Sequence, residues 1–139
     1  MMQEKTLRHE IIIQSEQEIT LYTDYGKFRQ VLINLLGNAI KFSVTEGHIG
    51  INCCKDQTGI SIAIEDSGCG IAEQEQQQIF EVFHQAESSS DNVQNGTGLG
   101  LALVKSLVGL LGGSVSIKSK YGTGSTFTLH FDHKVNSLP

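Results

Sequence analysis

The chain has 139 residues, 39% of them hydrophobic and 18% charged, enough for one packed core and too few for two. Its net charge of −5 is the wrong sign for gripping a phosphate backbone, which argues against a nucleic-acid surface. No run of about 18 apolar residues could span a membrane and no basic-then-apolar signal pattern opens the chain, so no membrane contact is expected. Cys53, Cys54 and Cys69 are odd in number and lack C-x-x-C spacing. That suits a reducing cytoplasm better than a disulfide framework or a zinc site.

In chain order, residues 9–14 and 18–23 are short and β-rich, the second alternating Ile19 and Leu21 with polar neighbours. They read as a hairpin joined by residues 15–17. Asp24 stands where an N-cap belongs, ahead of a long helix whose apolar stripe is Phe28, Val31, Leu32, Leu35, Leu36, Ala39 and Ile40, ended by Gly47. Two strands follow, 48–55 and 60–65, joined by a turn from Asp56 to Gly59. A short helix from 72 to about 80, a polar loop over 84–95, and a helix reaching Leu111 come next. Strands over 114–119 and 125–131 complete the domain at about residue 132, with 133–139 as tail or linker. His130 and His133 have no third partner near in sequence to make a metal site and read as surface residues.

Three places carry chemistry. On the first helix Gln30, Asn34, Asn38 and Lys41 fall at i, i+4, i+8 and i+11, one line beside the apolar stripe. Asparagine is a poor helix former, so two in line need a reason. A solvated face is one. The other is a hard cation such as Mg²⁺, which takes oxygen ligands and needs few from protein when phosphates supply the rest. Next, Asp66-Ser67-Gly68-Cys69-Gly70 closes an apolar strand. Its carboxylate could accept an exocyclic amine from a base, or merely cap its own turn. Finally, Gly96, Gly98 and Gly100 lead directly into the apolar positions Leu101, Leu103, Val104, Leu107, Val108 and Leu111. Glycines that let backbone N–H groups converge, followed by a helix N-terminus, form an anion cradle. The named fingerprints do not fit: Val104 rather than glycine precedes Lys105, excluding a P-loop, and a polar segment rather than a strand precedes the loop, against a Rossmann turn.

In combination, Asn34…Asn38-Ala39…Lys41-Phe42, then Asp66-Ser67-Gly68-Cys69-Gly70-Ile71, then Ile79-Phe80-Glu81-Val82-Phe83, then Gly96-Thr97-Gly98-Leu99-Gly100-Leu101 resemble the N, G1, F and G2 boxes of sensor histidine kinases. Gly122-Thr123-Gly124-Ser125-Thr126-Phe127 is similar to that family's closing hairpin, so the likeness runs from about residue 10 to 131. The wording is closest to hybrid kinases that carry a receiver domain. The resemblance implies an α/β fold, the two-layer Bergerat sandwich, with a mostly antiparallel mixed sheet against about three helices and a mobile ATP lid. It implies ATP and Mg²⁺ as cofactors, with Asn38 as the metal ligand, Asn34 as a possible second, and Lys41 beside Asn34 at the phosphates. Asp66 would read the adenine amine within a pocket shaped by Gly68, Gly70 and Ile71. Gly96, Thr97, Gly98, Leu99, Gly100 and Leu101 would hold phosphate, Phe80 and Phe83 would anchor the lid, and Thr126 would line the pocket.

The implied reaction is phosphoryl transfer from ATP to a histidine on a dimerisation and phosphoacceptor domain, with a response-regulator receiver served downstream. His9 precedes Glu10 but no proline turn follows and it opens a strand, so no acceptor is expected here and the domain alone is expected to be monomeric. From 56 to 104 there is no Lys or Arg among 49 residues and eight acids, which leaves the lid without a cation for the γ-phosphate. Residues 85–95 hold Val93 as their sole large apolar residue and are expected to order only with nucleotide. Two alternatives remain at this stage. A gyrase, Hsp90 or mismatch-repair ATPase would carry a Glu near the first asparagine where Asn34 stands, and a non-catalytic nucleotide-binding module would show no transfer.

Overall fold

A computed structural model of the chain describes residues 10–15, 18–42, 47–81 and 100–132. Its elements are β1 (Glu10–Ser15), α1 (Tyr25–Phe42), β2 (His48–Lys55), β3 (Gly59–Asp66), a 3-10 turn (Glu73–Glu75), α2 (Gly100–Leu110), β4 (Ser114–Lys120) and β5 (Gly124–Asp132). The five strands form one sheet in the order β1-β2-β3-β5-β4. β1 runs parallel to β2, and the other pairs are antiparallel.

Register decides which side chains meet the helices. Ile60 faces Phe131, Ile62 faces Leu129, Ile64 faces Phe127 and Asp66 faces Ser125. Alternate residues point to opposite faces, so these pairs share one side. Val31, Leu35 and Ala39 of α1 and Val104 and Val108 of α2 pack on that side to make a single core. Each fully buried aliphatic there contributes about 1.5–3 kcal/mol of transfer energy. The other face carries Ser61, Ala63, Glu65, Thr126, Thr128 and His130, with Ser61 Oγ 3.0 Å from His130 Nδ1. A one-residue slip would exchange the two sets, so the apolar pattern fixes the register.

The helix ends follow their residues. Asp24 Oδ1 accepts the Lys27 N–H at 2.9 Å and the Asp24 carbonyl accepts that of Phe28; the Lys27 backbone bond, reinforced by its ammonium, holds the Asp24 carboxyl below its usual range. After α2, Gly112 takes φ +79°, its N–H bonds Gly109 O, and Gly113 N–H reaches back to Val108 O, a Schellman closure that a left-handed residue permits. The Asp56 turn forms as expected, its carboxylate accepting from the Thr58 hydroxyl and from the backbone N–H groups of Thr58 and Gly59.

Two expectations are corrected. The opening hairpin does not form: 10–15 pairs with β2, while 18–22 is irregular and presses Ile19 and Leu21 against the core margin. A parallel neighbour needs a long crossover, and α1 supplies it between β1 and β2. Ile19 and Leu21 alternate because both are half-buried, without needing a strand partner. The short helix over 72–80 is a 3-10 turn followed by i→i+3 turns, Gln78 N–H to Glu75 O and Glu81 N–H to Gln78 O, both 2.9 Å. Ala72 offers no capping side chain, so nothing nucleates a full α-turn. Among the described residues there are thus two α-helices where about three were expected, within the α/β sandwich that was. His9, Phe83, the lid over 85–95, Gly96 to Leu99 and the tail lie outside the described residues.

Candidate functional site

The polar line on α1 is real and is tied to α2. Gln30 Nε2 donates to Asn34 Oδ1 at 2.7 Å, and Asn34 Nδ2 donates to the carbonyl of Gly100 at 3.3 Å. One amide therefore links the long helix to the first residue of the helix that the glycine-rich stretch feeds. Both ends of Asn34 are used. Asn38, one turn on along the same line, is half-buried. Lys41, also half-buried, sits in the last turn of α1, where a cation suits the helix dipole.

Asp66 ends β3 on the helix-bearing side of the sheet, 8% exposed. Its Oδ1 accepts the Gly68 N–H at 2.8 Å, the self-capping turn that was the plainer alternative. That bond uses one lone pair of about four, so capping and ligand binding are compatible. Burial pushes the carboxyl above the usual Asp range; the N–H groups of Gly68 and Ser125 pull it back, and Glu65's charge pushes it further up. Gly70 has φ +72°, and a Cβ there would lie 2.1 Å from the carbonyl of Lys120, so only glycine lets the turn lie on β4. Ile71 and Leu101 pack half-buried against the core, and Phe80 meets Phe127 edge-on at 6.1 Å between centroids. That fixes the start of the segment expected to form a lid.

Thr126 is not brought to the site. It faces Glu65 and Lys118 on the open side of the sheet. The residue beside Asp66 is Ser125, 6% exposed. Sequence reasoning passed over it, although the strand period could have found it: 125 shares a face with Phe127, Leu129 and Phe131. Ser119 and Gln76 were passed over too, and both hold the turn. Ser119 Oγ accepts the Ile71 N–H, and Gln76 Nε2 donates to the carbonyls of Ile71 and Ser119.

The residues suit a nucleotide and a hard cation. Among the described residues no three His, Cys, Asp or Glu side chains converge on a metal position. An amide oxygen on α1, such as that of Asn38, suits an ion whose other ligands are phosphate and water.

Known proteins resemble this chain in sequence and in fold. Residues 23–135 match the family described as histidine kinase-, DNA gyrase B-, and HSP90-like ATPase. Histidine protein kinase 1 of Candida albicans is 43% identical over 123 residues, 84% of this chain and 5% of that protein. The circadian input-output histidine kinase CikA of Synechococcus elongatus is 44% identical over 106 residues, 76% of this chain and 14% of that protein. The signal transduction histidine-protein kinase BarA of Escherichia coli K12 is 36% identical over 138 residues, 96% of this chain and 15% of that protein. The chain thus spans a small part of each. Full-length ShkA in complex with AMPPNP superposes with TM-score 0.73 at 31% identity, covering 91% of this chain and 25% of that one. The nucleotide-free catalytic domain of the histidine kinase ThkA gives TM-score 0.76 at 25% identity, covering 89% and 80%. The chain belongs to the histidine kinase-, DNA gyrase B- and HSP90-like ATPase family, and within it is a histidine kinase ATPase domain of the two-component sensor kind.

Proposed function

We propose that this domain binds ATP with Mg²⁺ between α1, the start of α2 and the Asp66 turn, and presents the γ-phosphoryl group to a histidine on a separate helical dimerisation domain of a larger cytoplasmic kinase, which in turn serves a response-regulator receiver. The observation that carries this is the Asn34 to Gly100 bond, which fastens the asparagine helix to the helix following the glycine-rich loop.

Phosphoryl transfer asks for positioning and charge neutralisation more than covalent chemistry. Asn38 offers the oxygen for the ion, and Lys41 supplies a cation on the same helix line. Asn34 braces α1 against α2 through its amide N–H, and its oxygen, which accepts one hydrogen bond from Gln30, keeps a second lone pair for a ligand. Bound Mg²⁺ would draw charge from the phosphate oxygens. Asp66 accepts the adenine amine, while Gly68 and Gly70 keep the base against the turn. Hydrolysis of the gyrase kind needs a general base near the γ-phosphate, and an amide at Asn34 cannot take a proton. Transfer to another group is therefore favoured over ATP hydrolysis.

Calorimetry with Mg²⁺ and with EDTA tests the site. Wild type should bind ATP more tightly with Mg²⁺, and Asn38→Ala should lose that difference while keeping its melting temperature within a few degrees. Equal affinity of the wild type under both conditions overturns the metal reading.

A further inference from the structure

The turn from Asp66 to Ile71 does not stand on β3 alone. Gly122 N–H bonds Cys69 O at 2.6 Å. Ile71 N–H bonds Ser119 Oγ at 2.6 Å, and both hydrogens of the Gln76 amide are spent, on Ile71 O at 2.9 Å and on Ser119 O at 2.8 Å. Ser119 Oγ also donates to Gly124 O at 3.0 Å and lies 2.8 Å from Ser125 Oγ. Ser125 faces Asp66 across the β3–β5 ladder.

A hydroxyl has one hydrogen and two lone pairs. Ser119 gives its hydrogen to the Gly124 carbonyl, which can only accept, and takes the Ile71 N–H on one lone pair. The contact with Ser125 must then use the hydrogen of Ser125. This spends it, and leaves Ser125 Oγ with lone pairs only. Two acceptors, Asp66 carboxylate and Ser125 oxygen, then stand side by side. Such a pair welcomes an amine and leaves a carbonyl unpaired, which is costly when buried.

We infer that Ser119 and Gln76 are positioning residues for base choice: Ser119 locks the Ser125 hydrogen away from the ligand, and Gln76 holds the backbone of Ser119 against Ile71 so that the lock persists. This rests on the reading that Asp66 receives the base. Without the Ser119 oxygen, the Ser125 hydroxyl is released to donate, and a purine bearing a carbonyl gains a partner that adenine does not need.

The test is the ratio of dissociation constants for inosine triphosphate and ATP, measured by calorimetry on the full chain. Inosine triphosphate carries a carbonyl where ATP carries the amine. Ser119→Ala should narrow the ratio by about fivefold, the worth of one net hydrogen bond, chiefly by tightening inosine triphosphate relative to ATP. Ser119→Thr, which keeps the oxygen, should restore the wild-type ratio, and Gln76→Leu should narrow it in the same sense. A merely structural role would weaken both nucleotides equally; an unchanged ratio in Ser119→Ala overturns the inference, and if that variant does not fold, an unchanged ratio in Gln76→Leu does so. Asp66→Asn separates the two layers. If it collapses the ratio while Ser119→Ala does not, only the positioning role fails; if Asp66→Asn also leaves it unchanged, the reading of Asp66 as the base acceptor fails.

Discussion

At the scale of single residues the site is a balance of charge against burial, and Asp66 shows it best. Burial raises its carboxyl above the usual Asp range despite two backbone donors, so the folded chain keeps the proton to higher pH than the unfolded chain does. Between the two values the native state holds more protons, and stability therefore falls as pH rises through that window. Under the proposed binding mode adenine has the opposite preference, since its amine would need the carboxylate. ATP affinity should weaken as pH drops through the raised value, while Asp66→Asn, which cannot titrate, should show a flatter dependence; calorimetry from neutral pH downward, with ATP's own phosphate titration common to both proteins, compares the two. Superimposable profiles would show that Asp66 does not meet the base. Asp66 itself was legible in the sequence, as an acid closing an apolar strand before two glycines. Its company was less so. Thr126 is the more bulky and β-branched of its pair, but strand alternation turns Ser125 inward instead.

At the scale of elements, α1 was read almost whole because three independent signals coincide on it. Asp24 caps it, the stripe of Val31, Leu35 and Ala39 is buried, and the asparagine line lies beside that stripe, toward α2. The two faces should answer differently to truncation. Leu35 is 1% exposed and Ile33 46%, so Leu35→Ala should cost about 2–5 kcal/mol through lost transfer energy and the cavity left behind, whereas Ile33→Ala should stay near or below about 1 kcal/mol because much of its surface already meets water. Urea unfolding midpoints measure both, and similar losses would mean that the buried face is misassigned. The elements misread were those for which periodicity is silent. A short apolar run at an edge gives the same pattern whether it pairs with its neighbour in sequence or, as β1 does, with a strand beyond the helix. The stretch after Gly70 has helical spacing at Ile79 and Phe80, but it has no cap and is cross-tied by Gln76, so it settles as tight turns.

At the scale of the whole molecule, the sheet divides the chain into a side that carries the proposed site and a side that does not, and the last prediction follows from this. Asp66, Asn34, Asn38 and the start of α2 lie on the helix-bearing side. The two described histidines do not. His48 is exposed and alternates with the core residue Ile49, and His130 shares the open face with Ser61, 3.0 Å from its hydroxyl. A five-stranded sheet stands between either ring and the proposed phosphate position, and in-line transfer needs the reacting atoms within about 3–3.5 Å. Within one chain, neither ring faces the proposed phosphate position. In the sequence His9 lacks the proline turn of a phosphoacceptor helix, and the sheet bears only on His48 and His130, the two histidines among the described residues. Incubated alone with γ-labelled ATP and Mg²⁺, the chain should therefore gain no acid-labile, alkali-stable label. Mixed with a separately produced dimerisation domain from the same parent protein, it should label that domain, and Asn38→Ala should reduce the transfer sharply while Ile33→Ala leaves the chain folded and nucleotide-competent. Label on His48 or His130 in the isolated chain would mean that phosphate is delivered on the open face, and the placement of the nucleotide between the helices and the Asp66 turn would be wrong.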